Sequence, residues 1–392
     1  MPALVVNFTS TINTDQFVTD DSAIRYGANN ITVTVGAGTS VISTFNFGDG
    51  IESTQTGSTL INDGNIFGAN AGVRFNGDDG VITNNAGRTI AGRVDGVFVD
   101  GDDVTVTNHG TIIAHGGFGV AFAGVSVNAV LNNDGVIYGR GSGVIANSPA
   151  GGVINNSGLI HSDLFGIRVD TNSGVVTAIA NFAGGTIKGT DAAIFSGTSR
   201  ISLDNSGTIA GDIDLNATAG NVDDVIVNKG KITGNVFLGD GNDSFNGAGG
   251  SSAVKVFGED GNDTLIGGKG GDTLDGGAGD DVIRGGLGRD TLFGGLDADR
   301  FDFNSIKDSK KVGNRDKIMD FSRGEGDEID LAGIPGKFKW IGKSDFHEKK
   351  GELRYEDKGA TVIVQGDTNG DGKADFEIFV NVGALAKGDF VL

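Results

Sequence analysis

Six nine-residue segments in the second half of the chain each carry an aspartate at their sixth position. The segments begin at residues 238, 258, 267, 276, 285 and 294, and their aspartates are Asp243, Asp263, Asp272, Asp281, Asp290 and Asp299. A carboxylate is the hard oxygen ligand that calcium prefers, and calcium takes about six to eight such ligands. Because the aspartates recur at a fixed spacing, they indicate a row of similar cation sites rather than one catalytic centre.

Glycines fill positions 1, 2 and 4 of the three central segments. They are Gly267, Gly268, Gly270, Gly276, Gly277, Gly279, Gly285, Gly286 and Gly288. Glycine adopts backbone angles that are closed to other residues, so such a turn can aim its carbonyl oxygens inward beside the aspartate. We expect these carbonyls to complete the calcium ligands. An acidic loop series without metal is the alternative, but thirteen acidic and five basic residues over 238–302 would then repel one another.

The segments resemble the nonapeptide repeats of RTX proteins, and this resemblance implies where the aspartates lie relative to one another. Two such segments make one circuit of a roll, so that successive turns should alternate between its two sides. Asp263, Asp281 and Asp299 should line one side. Asp272 and Asp290 should line the other. Position 8 should point inward and form the core, and it is filled by Phe245, Leu265, Leu274, Ile283, Leu292 and Phe301.

Two irregularities lie at the ends of this array. Eleven residues, 247–257, separate the first segment from the second, and Asp297 replaces glycine at position 4 of the last. The spacing therefore predicts that the register is interrupted after the first segment. Asp243 should then lie at the end of the array, beyond the interruption.

A second candidate cation loop covers residues 367–375, with Asp367, Asn369, Asp371 and Asp375 at alternate or nearly alternate positions around glycines. Oxygen side chains at every second position are typical of calcium loops. The loop is not an EF-hand, because Ile378 stands where that motif has glutamate. Calcium binding and a plain hydrogen-bonded Asx turn both remain open.

The nine-residue segments resemble the GGxGxDxUx nonapeptide of RTX proteins, and this resemblance implies a calcium-binding parallel β-roll over residues 238–302. The runs RFDF, DKIMDF, DEIDL and GDFVL, which begin at residues 300, 316, 327 and 388, resemble the serralysin-type C-terminal domain. That resemblance implies export by a type I ABC exporter that reads the C-terminus, and hence a secreted, extracellular or cell-surface protein. Residues 1–13 lack the basic start and apolar run of a cleavable signal peptide, which fits such a signal.

The zinc-protease activity of serralysins is not expected here. His347 and Glu348 begin like H-E-x-x-H, but the second histidine is missing. Arg74 and Arg168 occupy comparable places in the first half, yet they are separated by four repeats. No catalytic constellation converges in the sequence. Two acidic pairs, 78–79 and 102–103, should stack one coil apart, either as solvated turns or around a cation.

The first half of the chain has a longer period, which must shape the elements around these residues. An Asn-x-Gly motif recurs about every 23 residues, at Asn62, Asn85, Asn108, Asn133, Asn156, Asn205 and Asn228, with a longer copy at Asn181. Three short strands per period suit one coil of a parallel β-helix, in which stacked asparagines form an amide ladder. The pattern resembles pectate-lyase-like and autotransporter-type β-helix repeats, which implies an architecture and no activity.

The sequence thus predicts an all-β protein: a parallel β-helix solenoid, an RTX calcium β-roll and a small β-rich C-terminal cap. The expected limits are 1–59 for an N-terminal cap or first coils, 60–237, 238–302 and 303–392. A net charge of -21 disfavours nucleic acid and anionic membranes as partners, and no apolar run could span a bilayer. We expect a non-enzymatic extracellular scaffold or adhesive that could bind polysaccharide. The alternative is a carbohydrate-active lyase, hydrolase or epimerase.

Overall fold

A computed structural model describes residues 3–19, 21–124, 127–147, 151–170, 175–216, 222–311 and 313–392. The chain forms two compact units, Met1–Ala219 and Gly220–Leu392. Apart from one 3-10 turn at Lys387–Asp389, the regular elements of the described residues are short β-strands. The described residues contain no helix that is long and apolar enough to cross a membrane. The predicted all-β parallel solenoid is confirmed.

The first unit is a three-sided parallel β-solenoid. Each coil contributes one strand to each of three sheets, and every strand pairs in parallel with its counterparts in adjacent coils. The first sheet contains Leu4–Val6, Ile24–Tyr26, Ile51–Ser53, Ala71–Phe75, Asp95–Val99, Phe118–Phe122, Ser142–Ala146, Phe165–Val169, Ala192–Ser196 and Ile213–Asp214. The second contains Ser10–Ile12, Thr32–Val35, Thr59–Asn62, Val81–Asn84, Thr105–Asn108, Ala129–Asn133, Gly152–Asn156, Val176–Asn181 and Arg200–Asn205. The third contains Gln16–Val18, Ser40–Ser43, Asn65–Gly68, Thr89–Gly92, Thr111–Ala114, Val136–Gly139, Leu159–Ser162, Thr186–Lys188 and Thr208–Ala210.

Alternating side chains explain why these segments form strands. Val73, Ile82 and Ile90 point inward from the three sheets of one coil and are completely buried. Within each strand, the side chains that alternate with these inward ones face outward, as the two-residue period of a strand requires. Burying one such side chain contributes about 1.5–3 kcal/mol, and this gain recurs in every coil. Leu4–Val6 already pairs in parallel with Ile24–Tyr26, so the first residues form coils of the same solenoid.

The predicted amide ladder is present along the end of the second sheet. Seven asparagines of this ladder are buried, and the Nδ2 of each of the first six donates to the Oδ1 of the next at 2.8 Å: Asn62, Asn84, Asn108, Asn133, Asn156, Asn181 and Asn205. One member differs from the sequence prediction. Asn84 occupies the ladder instead of Asn85, because the turn that follows it is two residues longer than its neighbours. Asn85 lies outside and donates to Asp63.

The second unit is a flatter roll with two main parallel sheets. One sheet contains Asn235–Phe237, Lys255–Asp260, Thr273–Ala278, Thr291–Leu296 and Asp316–Ile318. The other contains Val225–Asn228, Ser244–Asn246, Thr264–Gly270, Val282–Gly288, Arg300–Asp302, Glu328–Asp330 and Phe390–Val391. Lys231–Ile232 is a further short strand. All six predicted position-8 residues are completely buried between the sheets, as the sequence predicted.

The end of the second unit adds antiparallel structure. Glu352–Asp357, Val362–Asp367 and Phe376–Val380 form an antiparallel meander, and Lys339–Gly342 pairs in parallel beside it. Phe376–Val380 also pairs with Asp316–Ile318 of the roll. Trp340 packs on Phe390, with ring centroids 4.8 Å apart. The C-terminal residues therefore continue the sheets of the roll.

Candidate metal centre

A ladder of buried aspartates runs along one side of the roll. The backbone N–H of Asp243 donates to Oδ1 of Asp263 at 2.7 Å, Asp263 donates likewise to Asp281 at 2.7 Å, and Asp281 to Asp299 at 3.1 Å. Each of these aspartates directly precedes a strand of the same sheet. Carboxylates one coil apart are thus held in a single row by backbone hydrogen bonds.

A second ladder runs along the opposite side. The N–H of Asp272 donates to Oδ1 of Asp290 at 2.8 Å, and Asp290 donates to Asp316 at 2.8 Å. The strands that follow Asp272 and Asp290 belong to the other sheet. The predicted alternation of aspartates between the two sides of the roll is confirmed.

The prediction that residues 247–257 interrupt the array is wrong. Lys255–Asp260 pairs with Asn235–Phe237 and with Thr273–Ala278, and Val256 is completely buried in the place of a position-8 residue. The segment is a divergent repeat with two additional residues, which the turn before Lys255 takes up. Asp243 therefore stacks directly on Asp263, and it also accepts the N–H of Asp224 at 2.6 Å.

The second carboxylate oxygen, Oδ2, is the ladder atom that could bind a cation. In Asp243, Asp263, Asp281, Asp290, Asp299 and Asp316, Oδ2 is buried and has no hydrogen-bond partner among the described residues. Burying an unsatisfied polar atom of this kind costs free energy, and an unpaired charge costs more. Asp272 differs, because its Oδ2 accepts the N–H of Gly268 at 2.8 Å. Each free oxygen is available to a cation.

Glycine at position 1 lets two oxygens approach the backbone more closely than any other residue would allow. A Cβ built on Gly276 would lie within 3 Å of Asp281 Oδ2 and 2.5 Å from the carbonyl oxygen of Gly294, one coil further on. A carboxylate oxygen and a carbonyl oxygen from adjacent coils thus converge on one point. The same two kinds of oxygen approach the corresponding points at Gly258 and Gly267. Oxygen ligands in this arrangement fit a hard cation such as calcium.

The remaining predicted glycines shape the turns. Gly270, Gly277, Gly279 and Gly286 have positive φ angles of 125°, 113°, 127° and 91°. At Gly268, Gly285 and Gly288 a Cβ would meet a backbone or aspartate oxygen at less than 3 Å. Asp297 at position 4 of the last segment and Glu259 at position 2 of the second keep positive φ angles of 76° and 79°. These two departures from glycine preserve the turn, at the backbone cost that a non-glycine residue carries there.

Burial controls the electrostatics of the ladders. Burial, together with the neighbouring carboxylates of Asp263 and Asp299, raises the pKa of Asp281 to about 8. Burial also raises the pKa of Asp243 to about 8, of Asp263 to about 6, of Asp290 and Asp299 to about 7, and of Asp316 to about 9. Without a cation, several of these carboxyl groups would hold protons at neutral pH. A bound divalent cation would take the place of those protons.

Side chains alone do not build a metal site in the described part of the chain. No group of three or more His, Asp or Glu side chains converges there in an arrangement that could hold a metal ion. Any calcium in the roll must therefore use backbone carbonyls together with one or two carboxylates. The residues that fit this requirement are the position-6 aspartates and the glycines around them.

The structure also adds aspartates that the repeat pattern did not include. Asp316 extends one ladder, and Asp327 extends the other by accepting the N–H of Asp299 at 3.1 Å. Asp320 accepts the N–H groups of Gly294 and Gly295 through its two oxygens. The available signal was a triplet of Asp, any residue and a buried apolar residue, since Ile318 and Ile329 are completely buried two residues after Asp316 and Asp327.

The loop at residues 367–375 is closed by its own hydrogen bonds. Asp367 accepts the N–H groups of Gly370 and Gly372, at 2.6 and 2.8 Å. Asp375 accepts the N–H of Thr368 at 2.8 Å and the Nδ2 of Asn369 at 2.9 Å. Asn369 and Asp371 each accept an N–H from two residues ahead. These are Asx-turn bonds, and calcium binding by this loop stays a prediction.

The acidic pairs at 78–79 and 102–103, and the arginines Arg74 and Arg168, form local hydrogen bonds in the structure. Asp78 and Asp102 lie one coil apart, and Asp78 accepts the N–H of Asp102 at 3.0 Å. Arg74 donates to Asp49 at 2.9 Å and Arg168 donates to Asp170 at 2.5 Å, so each arginine is paired within its own neighbourhood. The bonds of the acidic pairs are those of stacked turns.

Comparison with known proteins agrees with the geometry of the roll. Residues 248–274, 257–292 and 275–305 match the RTX calcium-binding nonapeptide repeat, four copies of which make up the family model. No curated protein matches the chain. The match begins inside the segment 247–257, which agrees with the finding that this segment is a repeat of the roll. The second unit of this chain thus carries RTX calcium-binding nonapeptide repeats, folded as a parallel β-roll.

Proposed function

We propose that the chain is a secreted RTX protein whose roll folds when it binds calcium outside the cell. Residues 1–237 would serve as a solenoid platform, with 1–59 as its first coils, residues 238–302 as the calcium roll, and residues 303–392 as a folding and secretion cap. The C-terminus would be read by a type I ABC exporter. The exported protein would act as a non-enzymatic scaffold or adhesive at the cell surface or in the extracellular space, where it binds polysaccharide.

The buried, unpartnered Oδ2 atoms of the ladder aspartates carry this proposal. Six such oxygens lie in two rows, and burial is the main cause of the raised pKa of each of the six carboxyl groups. A fold that pays this cost without a ligand would be unstable at neutral pH. Calcium concentrations are high outside the cell and low inside it, so the same chemistry would keep the roll unfolded before export.

Pairing of the basic residues supports a role without catalysis. Arg74 and Arg168, the arginines that the sequence singled out, are engaged by Asp49 and Asp170 and stack on phenylalanine rings. A catalytic site for polysaccharide cleavage needs convergent acid and base groups about 5–9.5 Å apart. The first unit is better suited to present a long repetitive surface.

Hydrogen exchange of the full chain, followed by mass spectrometry, tests the calcium dependence. Peptides from residues 258–302 should be protected in millimolar calcium and should exchange within seconds after chelation. Peptides from residues 60–200 should keep their protection in both conditions and serve as the internal control. Magnesium at the same concentration should not restore the roll, because it demands a smaller octahedral shell. Equal protection of residues 258–302 with and without calcium would refute the proposal.

A further inference from the structure

A shallow cleft of about 210 Å³ lies on the outer surface of the first unit, where the second sheet meets its turns. Its lining includes Thr107, His109, Asn132, Asp134, Asn155 and Phe182. We call it the polar cleft. Its residues come from four consecutive coils, so the stacking of the solenoid brings together side chains that are far apart in the sequence.

A row of amide and hydroxyl groups forms one wall of the polar cleft. Thr107, Asn132 and Asn155 occupy the same register position in successive strands and point outward. Nδ2 of Asn155 donates to Oδ1 of Asn132 at 2.9 Å, which fixes the two amides side by side. A primary amide has two N–H donors and an oxygen with two lone pairs, so this single bond leaves capacity on both side chains.

A histidine and a carboxylate form the second wall. Nδ1 of His109 lies 2.8 and 2.9 Å from the two oxygens of Asp134, one coil further on. This contact sets the orientation of the imidazole ring and leaves its Nε2 as a further hydrogen-bonding atom. The carboxylate of Asp134 is already engaged by the ring, and the lining of the polar cleft contains no lysine or arginine in the part of the chain that the structure describes.

The end of the polar cleft is apolar. Phe182 lies in the longer turn that follows Asn181, and its side chain is 50% exposed. Its backbone N–H donates to the carbonyl of Asn156 at 2.8 Å, so the ring is carried on a fixed backbone position. Ala180, the residue that follows Asn155 in the register row, leaves the space beside the ring open. A half-exposed phenylalanine beside a row of polar groups offers a flat surface to a ligand.

These features together select a class of ligand. Closely spaced amide, hydroxyl and imidazole groups can donate to and accept from a ligand that carries many hydroxyls. An anionic ligand would find no lysine or arginine among the described residues that line the polar cleft, and the net charge of -21 repels an acidic polymer. The face of a sugar ring is apolar and could pack on Phe182. Successive coils are about 4.8 Å apart, which is close to the length of one sugar ring.

We propose that the polar cleft binds a segment of a neutral polysaccharide, with hydroxyl groups on Asn132, Asn155 and His109 and one sugar face on Phe182. This inference rests on the proposed function, because it names the ligand class and the binding residues of the solenoid platform. It does not depend on calcium, since the polar cleft lies wholly within the first unit.

Nuclear magnetic resonance of histidine tests the site directly. The chain has four histidines, so full-length protein labelled with ¹³C at histidine Cε1 gives four signals, and a His109→Ala variant assigns one of them. The probes are neutral oligosaccharides of two to six sugars from the cello-, manno- and malto- series, with oligogalacturonate as the acidic comparison. A neutral oligosaccharide should shift the His109 signal and leave that of His347 unchanged.

Matched variants identify the contacts. Asn155→Ala and Phe182→Ala should each weaken oligosaccharide binding about tenfold, the loss expected for one good hydrogen bond or one ring contact. Asn85→Ala is the control, because Asn85 also donates a side-chain hydrogen bond to the adjacent coil, to Asp63 at 2.7 Å, but lies outside the polar cleft. It should bind like the wild type, and all three variants should keep the wild-type circular dichroism.

The inference is overturned if no neutral oligosaccharide shifts the His109 signal at saturating concentration, or if oligogalacturonate shifts it as strongly. It is also overturned if Asn85→Ala weakens binding as much as Asn155→Ala. Calcium-dependent protection of residues 258–302 would stand in each of these cases. Failure of the polar cleft can therefore be told apart from failure of the calcium roll.

Discussion

Replacing Gly276 with alanine should damage the calcium roll through contact alone. The added Cβ would lie within 3 Å of Asp281 Oδ2, the buried oxygen that has no hydrogen-bond partner, and 2.5 Å from the carbonyl oxygen of Gly294. Gly276 does not have the positive φ angle that excludes other residues, so backbone strain plays no part. The methyl group would fill the point at which the two oxygens converge.

The size of the effect follows from two opposing terms. Overpacking a close-packed site costs about 1–3 kcal/mol. Exchange of glycine for alanine also reduces the freedom of the unfolded chain, which stabilises by about 0.4–1 kcal/mol. The net loss should be about 1–2 kcal/mol, which lowers the equilibrium constant for folding about 5- to 30-fold at a fixed calcium concentration and therefore raises the calcium midpoint.

Fluorescence of Trp340 during a calcium titration of the full chain measures this midpoint. Trp340 is the only tryptophan, and it packs on Phe390, whose strand pairs with Glu328–Asp330 of the roll. Gly324→Ala is the matched control, because a Cβ there has only Ser322 Oγ nearby, at 3.9 Å. A wild-type midpoint for Gly276→Ala, or an equal loss in Gly324→Ala, would refute the reasoning.

Three further predictions concern the ladders and the C-terminus. Asp243→Ala and Asp281→Ala should raise the calcium midpoint by comparable factors, because both aspartates accept an N–H from the adjacent coil and both leave Oδ2 free; a wild-type titration of Asp243→Ala would contradict this. The raised carboxyl pKa values mean that the calcium-free folded unit holds protons which the unfolded chain releases above about pH 4. In chelator, the folded fraction of this unit, followed by circular dichroism, should therefore fall as the pH rises from 5 to 9, while calcium binds more tightly; a calcium-free folded fraction that rises over this range would contradict it. Deletion of residues 388–392 should trap the protein in cells with a type I exporter, whereas deletion of residues 1–13 should not; secretion of the tail-less protein would count against the export proposal.

The sequence predicted the central roll well because its period is strict. Nine residues separate Asp263, Asp272, Asp281, Asp290 and Asp299, and an apolar residue follows each aspartate at the same distance. That regularity, together with the resemblance to RTX nonapeptides, was enough to predict both the two-sided arrangement and the buried core. The Asn-x-Gly period similarly predicted the amide ladder of the first unit, apart from the exchange of Asn85 for Asn84.

The positions of the aspartates at the two ends of the roll could not be predicted from the nine-residue period. Asp316 follows Asp299 after an irregular segment, so no period connects it to Asp290, and only the parallel pairing of the strands brings the two together. A triplet of Asp, any residue and an apolar residue is too common to be a signal by itself. Asp243 was misplaced because two additional residues in 247–257 shift the spacing without breaking the stack.

The polar cleft was also beyond sequence reasoning. His109, Asp134 and Phe182 are each the residue that follows a ladder asparagine, and each by itself has the character of a turn residue. The periods between them vary in length, so their alignment depends on which turn carries the additional residues. Their proximity emerges only when the coils are stacked.

A crystal structure of the full chain grown in millimolar calcium tests the central claim most directly. Anomalous scattering measured on the high-energy side of the calcium absorption edge should locate ions beside Oδ2 of Asp281 and Asp290. Each ion should lie about 2.3–2.6 Å from that oxygen and from glycine carbonyl oxygens. Ordered ions at these points would establish the ladders as the calcium ligands. Density for water or protein donors alone beside Asp281 and Asp290 would contradict the account.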